Sequence, residues 1–177
     1  MADNPEVIEA RSRKDDKNYF SEIVKTTPML IEWANEEIRS DKQIMLDAVK
    51  TDGGALEFAT EELKDDKDIL LAAVNQAGWT CCYASDRLKA DKDVLLTATK
   101  RDGQALYFAS KELRDDKDVV LSAVTTKPII LKYASYRLRD DKDIAVAAVS
   151  KGKKKVIEYI TPRLREDEEI KSLLEEG

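Results

Sequence analysis

Apolar residues recur along this chain in an order that starts again every 25 residues. Counting each unit from an aspartate at position zero, Asp16, Asp41, Asp66, Asp91, Asp116 and Asp141 fall in register, each followed by lysine. Positions three, four, seven and eight are apolar, as in Ile44, Met45, Ala48 and Val49 or Val119, Val120, Ala123 and Val124. That spacing forms one wide helical stripe. It predicts a first helix in each unit, with the aspartate as N-cap. Position twelve is Pro28, Gly53, Gly78, Gly103 or Pro128. Glycine is expected to stop the helix in left-handed backbone, and proline because it cannot continue the hydrogen-bonded ladder.

A second helix is predicted beyond position twelve. Its columns are Ile31, Leu56, Cys81, Leu106 and Leu131 at fifteen, and alanine at eighteen from Ala34 to Ala134. Position seventeen is aromatic: Trp33, Phe58, Tyr83, Phe108 and Tyr133. Because its helical companions are apolar, this aromatic column is expected to be buried. Position nineteen holds Asn35, Thr60, Ser85, Ser110 and Ser135, all N-cap types, which favours a break and a short third turn anchored by Ile38, Leu63, Leu88, Leu113 and Leu138. The alternative is a second helix running straight through to that anchor. The sixth unit aligns only with one residue inserted within 151–155. Asn4-Pro5 opens a short helix before the first unit, and Asp167 starts a last one ending near Glu176.

An arrangement copied six times is a structural unit, since catalysis needs one unique constellation. The expected fold is all-α: a right-handed α-solenoid of about six 25-residue helical repeats with capping helices at both ends. It forms one domain, 1–177, with an N-terminal cap at 1–15, repeats at 16–40, 41–65, 66–90, 91–115, 116–140 and 141–166, and a C-terminal cap helix at 167–177.

The run DKDVVLSAV, then glycine or proline, then ALYFASKELRDDKD, resembles the tandem helical repeat family known as domain of unknown function 4116. The likeness covers roughly Asp16 to Leu174. The departures are Pro28 and Pro128 at the usual glycine, Cys81 at the usual leucine, and the slipped sixth unit. The resemblance implies a helical repeat protein. It implies no activity and carries over no functional residues.

Hydrophobic residues make up 42% of the 177 and charged residues 37%, with a net charge of −6. Mixed charge of net negative sign disfavours non-specific attraction to nucleic acid or anionic lipid. No apolar run is long enough to span a bilayer, and the start has no apolar leader segment. The cysteines, Cys81 and Cys82, are adjacent and form no disulfide framework, so a reducing, cytoplasmic location is expected. The absence of histidine removes the commonest general base and metal ligand.

Candidate chemistry is sparse. The DDKD segments at 65–68, 115–118 and 140–143 are read as acids crowding a helix N-terminus, because the glycine-bearing loop and terminal glutamate of a calcium loop are missing. Position twenty-three is always basic (Arg39, Lys64, Lys89, Arg114, Arg139, then Arg165) and is read as locally paired, Arg114 with Asp118 for example. The lysine at position one opposes the helix dipole, and pairing with a neighbouring unit is the one account of it. Cys81 sits in a core column. Cys82 is expected to be an exposed bystander thiol.

The informative departures lie on the outer face of the second helix. Trp79, Cys82, Tyr107, Ile129, Lys132 and Tyr136 stand there in the middle repeats, and large apolar residues on a face the repeat need not bury mark a contact surface. The expected function is a non-enzymatic protein–protein interaction scaffold with no catalytic residues, metal or cofactor. The partner is a protein of unknown identity, with self-association possible and neither nucleic acid nor membrane insertion expected. The alternatives are a structural subunit of a larger assembly and, behind it, nucleic-acid binding.

Overall fold

The computed structural model describes residues 4–175, so Met1 to Asp3 of the expected N-terminal cap and the expected helix end at Glu176 lie outside the described residues. The described residues are all-helical, with no strand among them. The chain divides into two compact units, Met1–Leu88 and Lys89–Gly177.

The elements repeat in tandem. A first helix runs Lys42–Thr51, Lys67–Gln76, Lys92–Arg101, Lys117–Thr126 and Lys142–Gly152. Its N-cap carboxylate accepts from the amides two and three residues on: Asp41 from Gln43 and Ile44, Asp116 from Asp118 and Val119. The stripe at positions three, four, seven and eight is buried in these five helices, whereas in Lys17–Ile23 of the first unit Tyr19 and Ile23 are half-buried. Thr99 stands at position eight in place of valine, and its buried hydroxyl lies 2.9 Å from the Ser122 hydroxyl.

The second helix is a 3₁₀ helix, as in Gly53–Phe58, Gly103–Phe108 and Pro128–Tyr133. With three residues per turn, positions twelve, fifteen and eighteen eclipse one another. Glycine or proline, leucine and alanine therefore share the face turned to the core. This corrects the expectation for the aromatic column: Trp33, Phe58, Tyr83, Phe108 and Tyr133 fall off that face and are all half-buried. The chain then passes through extended backbone at the alanine (Ala109 ψ 151°) into a short closing turn such as Glu36–Arg39 or Tyr136–Arg139. The break at position nineteen is present. Asn35 and Ser135 accept from the amides of Ile38 and Leu138, but Thr60 makes no such bond.

The glycine at position twelve does not act as a left-handed stop, since no described glycine has positive φ. The helix ends one residue earlier, in extended backbone at Asp52 (φ −143°, ψ 113°) or Asp102 (φ −146°, ψ 113°). Gly53 is instead the first 3₁₀ residue and lies against the next repeat. A Cβ there would sit 2.5 Å from the Ala73 carbonyl oxygen. Proline replaces glycine where its missing N–H is one the helix start leaves unpaired anyway.

Like elements pack on like. In the first unit Lys42–Thr51 packs on Lys67–Gln76, and the 3₁₀ segments from Pro28–Trp33 to Gly78–Tyr83 pack in succession. In the second unit Lys92–Arg101, Lys117–Thr126, Lys142–Gly152 and Glu168–Glu175 pack in the same way.

Each residue of a DDKD segment has a separate task. Asp115 accepts from the Ser135 hydroxyl and from Arg137 Nε at 3.0 Å, both in the following repeat. Asp116 caps its own helix and takes Lys92 Nζ of the preceding repeat at 2.9 Å. Lys117 reaches forward to Asp141 at 2.9 Å and Asp143 at 2.6 Å. Asp118 pairs with Lys92 at 2.7 Å. Lys17, Lys42 and Lys142 repeat the forward reach, which accounts for lysine at position one. Burial pushes the Asp116 and Asp141 carboxyls up, but the facing lysine and their own helix amides outweigh it and hold them below the usual carboxylate range.

The expected local pairing of position twenty-three is corrected. Asp118 belongs to Lys92, and the buried Nε atoms of Arg39, Arg114 and Arg139 have no hydrogen-bond partner. These arginines are half-buried, and Arg39 Nη1 reaches the Phe58 carbonyl in the next repeat at 3.5 Å. Local pairing occurs at Lys64, 3.0 Å from Glu61.

Two predictions follow from this packing. Gly53→Ala drives a methyl into backbone and should destabilise the chain by about 2 kcal/mol. Gly54→Ala meets side chains instead, the Asp52 carboxylate at 3.1 Å and the Trp79 ring at an ordinary 3.8 Å, and should cost under about 1 kcal/mol; urea unfolding compares the two. The second concerns Thr60, whose buried hydroxyl has no partner and which follows a repeat ending in Ser40 rather than aspartate. Ser40→Asp with Glu62→Arg should recreate the Asp140–Thr161–Arg163 arrangement. It should raise stability by about 1 kcal/mol through the hydroxyl bond, read as a shift in the unfolding midpoint.

Candidate partner-binding surface

With twelve, fifteen and eighteen facing the core and fourteen buried beside them (Leu30, Ala55, Thr80, Ala105, Ile130), thirteen and sixteen eclipse each other on a remaining side of the 3₁₀ turn. The side chains there are Met29 and Glu32, Trp79 and Cys82, Gln104 and Tyr107, Ile129 and Lys132. Large apolar groups among them remain in solvent: Trp79 is 43% exposed, Tyr107 51%, Ile129 40% and Met29 40%. Tyr136, at the first residue of a closing turn, is 67% exposed. Cys82 is half-buried rather than exposed, and Cys81 is buried in the core column as expected. Lys132 is exposed.

In the second unit three of these residues converge. Tyr107 meets the Tyr133 ring edge-on at 4.8 Å, and Lys132 Nζ lies 4.9 Å from the centre of the same ring. Together with Ile129 and Lys127 they line an open hollow of about 350 Å³. Lys127 Nζ donates to Gln104 Oε1, closing one side of it. Tyr136 does not line this hollow; the Arg139 guanidinium lies 5.8 Å from its ring.

In the first unit Trp79 rests edge-on against Tyr83 at 5.9 Å. Tyr83 is held in turn by its hydroxyl, which donates to Glu57 Oε2 at 2.9 Å. Burial, then the Glu57 carboxylate, push the Tyr83 phenol up to about 12, so it stays protonated as the donor. Its neighbour Gly54 leaves room for the indole, whose Cη2 atom lies 3.8 Å from where a Cβ would stand.

Met29 was not singled out from the sequence, although it shares position thirteen with Trp79 and Ile129. The threefold register of the 3₁₀ turn is the signal that finds it. Among the described residues no group of three or more Cys, Asp or Glu is placed to hold a metal ion, and no helix is long and apolar enough to cross a membrane. What the surface offers is aromatic faces, one aliphatic anchor and an ammonium, a set suited to binding.

These outer side chains are surplus to the core. Tyr107→Ala should cost about 1 kcal/mol through its edge-on ring contacts, whereas Leu106→Ala beside it, fully buried, should cost about 2–5 kcal/mol. Denaturant midpoints of the two variants measure the contrast.

A family model described as Domain of unknown function (DUF4116) matches residues 16–64, 41–84, 66–114 and 116–165. No curated protein and no solved structure matches the chain. The overlapping segments take in nearly all of the repeated region, and the chain belongs to the DUF4116 family.

Proposed function

We propose that the chain is a right-handed α-solenoid of about six 25-residue repeats, capped at both ends, acting in the cytoplasm as a non-enzymatic interaction scaffold. Its partner is a protein bound through the outer face of the 3₁₀ segments in the middle repeats. The observation that carries this reading is the exposure of Trp79, Tyr107 and Ile129 at positions the core does not use. Rigid aromatic and aliphatic groups on a fixed frame lose little entropy on binding. Cys82 beside Trp79 and Lys132 beside Tyr133 complete the proposed face, with the exposed Tyr136 as a separate contact. A second reading, as a structural subunit of a larger assembly, draws on Ile8 and Met29, which are 55% and 40% exposed near the N-terminus.

Affinity capture with the wild-type chain and with Trp79→Ala/Tyr107→Ala tests the first reading. A partner should be retained by the wild type and bound at least about tenfold more weakly by the folded double variant. Equal retention would remove the proposed face. A mass that rises with concentration in sedimentation, and is abolished by Ile8→Ser/Met29→Ser, would favour the assembly.

A further inference from the structure

The sixth repeat breaks the pattern at one place. Its first helix, Lys142–Gly152, has 11 residues where Lys117–Thr126 has 10, and its 3₁₀ segment, Lys153–Tyr159, has 7 where Pro128–Tyr133 has 6. The extra length is absorbed at Lys153, with φ 49° and ψ −138° the one positive-φ non-glycine residue among those described. Lysine is strained in that conformation, and such strain persists where surrounding structure imposes it. Gly152 allows the close approach beside it. A Cβ there would lie 2.6 Å from Val156 Cγ1 and 2.8 Å from Pro128 Cβ.

The result is a half-open cavity of about 540 Å³ with an apolar floor of Pro128, Ile129, Val156 and Leu174. The rest of its described wall is the run Lys151–Lys155, which carries four ammonium groups, and no acid among the described residues lines it. Lys151 Nζ donates to the Thr125 carbonyl at 2.6 Å and Lys153 Nζ to the Leu173 carbonyl at 3.0 Å. A carbonyl fixes an ammonium without neutralising it and leaves donors to spare. Lys154 and Lys155 are exposed. The lysines at position one behave differently, each of Lys117 and Lys142 being matched by two carboxylates. Among the described residues no carboxylate is matched to the 151–155 run, in a chain of net charge −6.

We propose that this cavity docks an acidic peptide segment of a partner protein. An apolar side chain of the peptide rests on Pro128, Ile129 and Leu174, with the fully buried Val156 supporting them from beneath, and flanking carboxylates pair with the ammoniums of Lys151–Lys155. The proposal rests on the scaffold reading and names its partner's chemistry, Ile129 being common to this cavity and to the outer face. An anionic bilayer fits less well, because the net negative charge of the chain opposes approach. A nucleic acid would lack an aromatic face to stack on, since none lines the cavity.

The test is selection of a displayed random-peptide library on the full chain, followed by affinity measurement of the enriched peptides. Peptides pairing Asp or Glu with Leu, Ile or Phe should be enriched. They should bind Lys154→Glu/Lys155→Glu at least about tenfold more weakly than the wild type, with Lys154→Gln/Lys155→Gln between. Circular dichroism checks that the variants, altered only at exposed positions, remain folded. Enrichment of peptides without acids, no enrichment, or acidic peptides indifferent to charge reversal would each overturn the proposal. So would lysine-dependent sedimentation with vesicles of equal phosphatidylserine and phosphatidylcholine but no acidic peptide, which would put a membrane surface here instead. Peptides that need Tyr107 but not Lys154 and Lys155 would leave the scaffold face standing and remove this site. Acidic peptides that need the lysines but tolerate Trp79→Ala/Tyr107→Ala would do the reverse.

Discussion

Closing turns at five of the repeat junctions open with a backbone amide that donates into the repeat before it, Thr161 to Arg139 at 3.2 Å among them. Asn35 N–H meets the Lys14 carbonyl at 2.8 Å, Ser85 meets Lys64 at 3.4 Å, Ser110 meets Lys89 at 3.0 Å and Ser135 meets Arg114 at 2.9 Å. A backbone donor at the edge of a core must find a partner, and here the partner is supplied only by a correctly offset neighbour. Burial along the first helices is non-directional and would tolerate sliding. The amide link does not, and it sets the offset within each unit. Once it is made, the N-cap serine comes within reach of Asp65 or Asp115, and the position-one lysine within reach of the next helix start.

That link also explains why the outer face is free to vary. The core needs positions twelve, fourteen, fifteen and eighteen of the 3₁₀ turn, and the junction needs nineteen, twenty-one and twenty-four. Thirteen and sixteen answer to neither. Methionine, glycine, tryptophan, glutamine and isoleucine all occur at thirteen without altering the elements that carry them. A constant frame with a variable outward column is how tandem repeats acquire distinct surfaces.

The first helices, their aspartate caps and the break at position nineteen were legible because each is local and recurs. The 3₁₀ character of the second helix was present in the spacing of three between Gly53, Leu56 and Ala59, but the same residues also suit an α-helical reading. The role of Gly53 was hidden because its constraint is the Ala73 carbonyl in the next repeat. For the candidate surface, exposure at Trp79, Tyr107 and Ile129 followed from periodicity. The convergence of Tyr107, Ile129 and Lys132 on one hollow depends on the offset of successive repeats, which no single repeat encodes. The cavity at 151–155 escaped for another reason: an insertion was visible, its backbone conformation was not.

From Ser40 onward, the residue ending one repeat and the residue at position twenty-one of the next vary together, although Asp15 precedes Glu37. Asp65, Asp115 and Asp140 face Arg87, Arg137 and Arg163, whereas Ser40 and Ala90 precede Glu62 and Glu112; Asp15 instead takes the Asn35 amide. This bears on how such a gene can grow. Copying the repeat 116–140 in place would set its terminal aspartate against its own arginine and preserve the pairing. Copying 41–65 or 91–115 would bring aspartate against glutamate, and copying 66–90 would leave an arginine facing alanine. Unequal crossing-over therefore yields sound junctions from only some of the repeats, and the rest are held to their order.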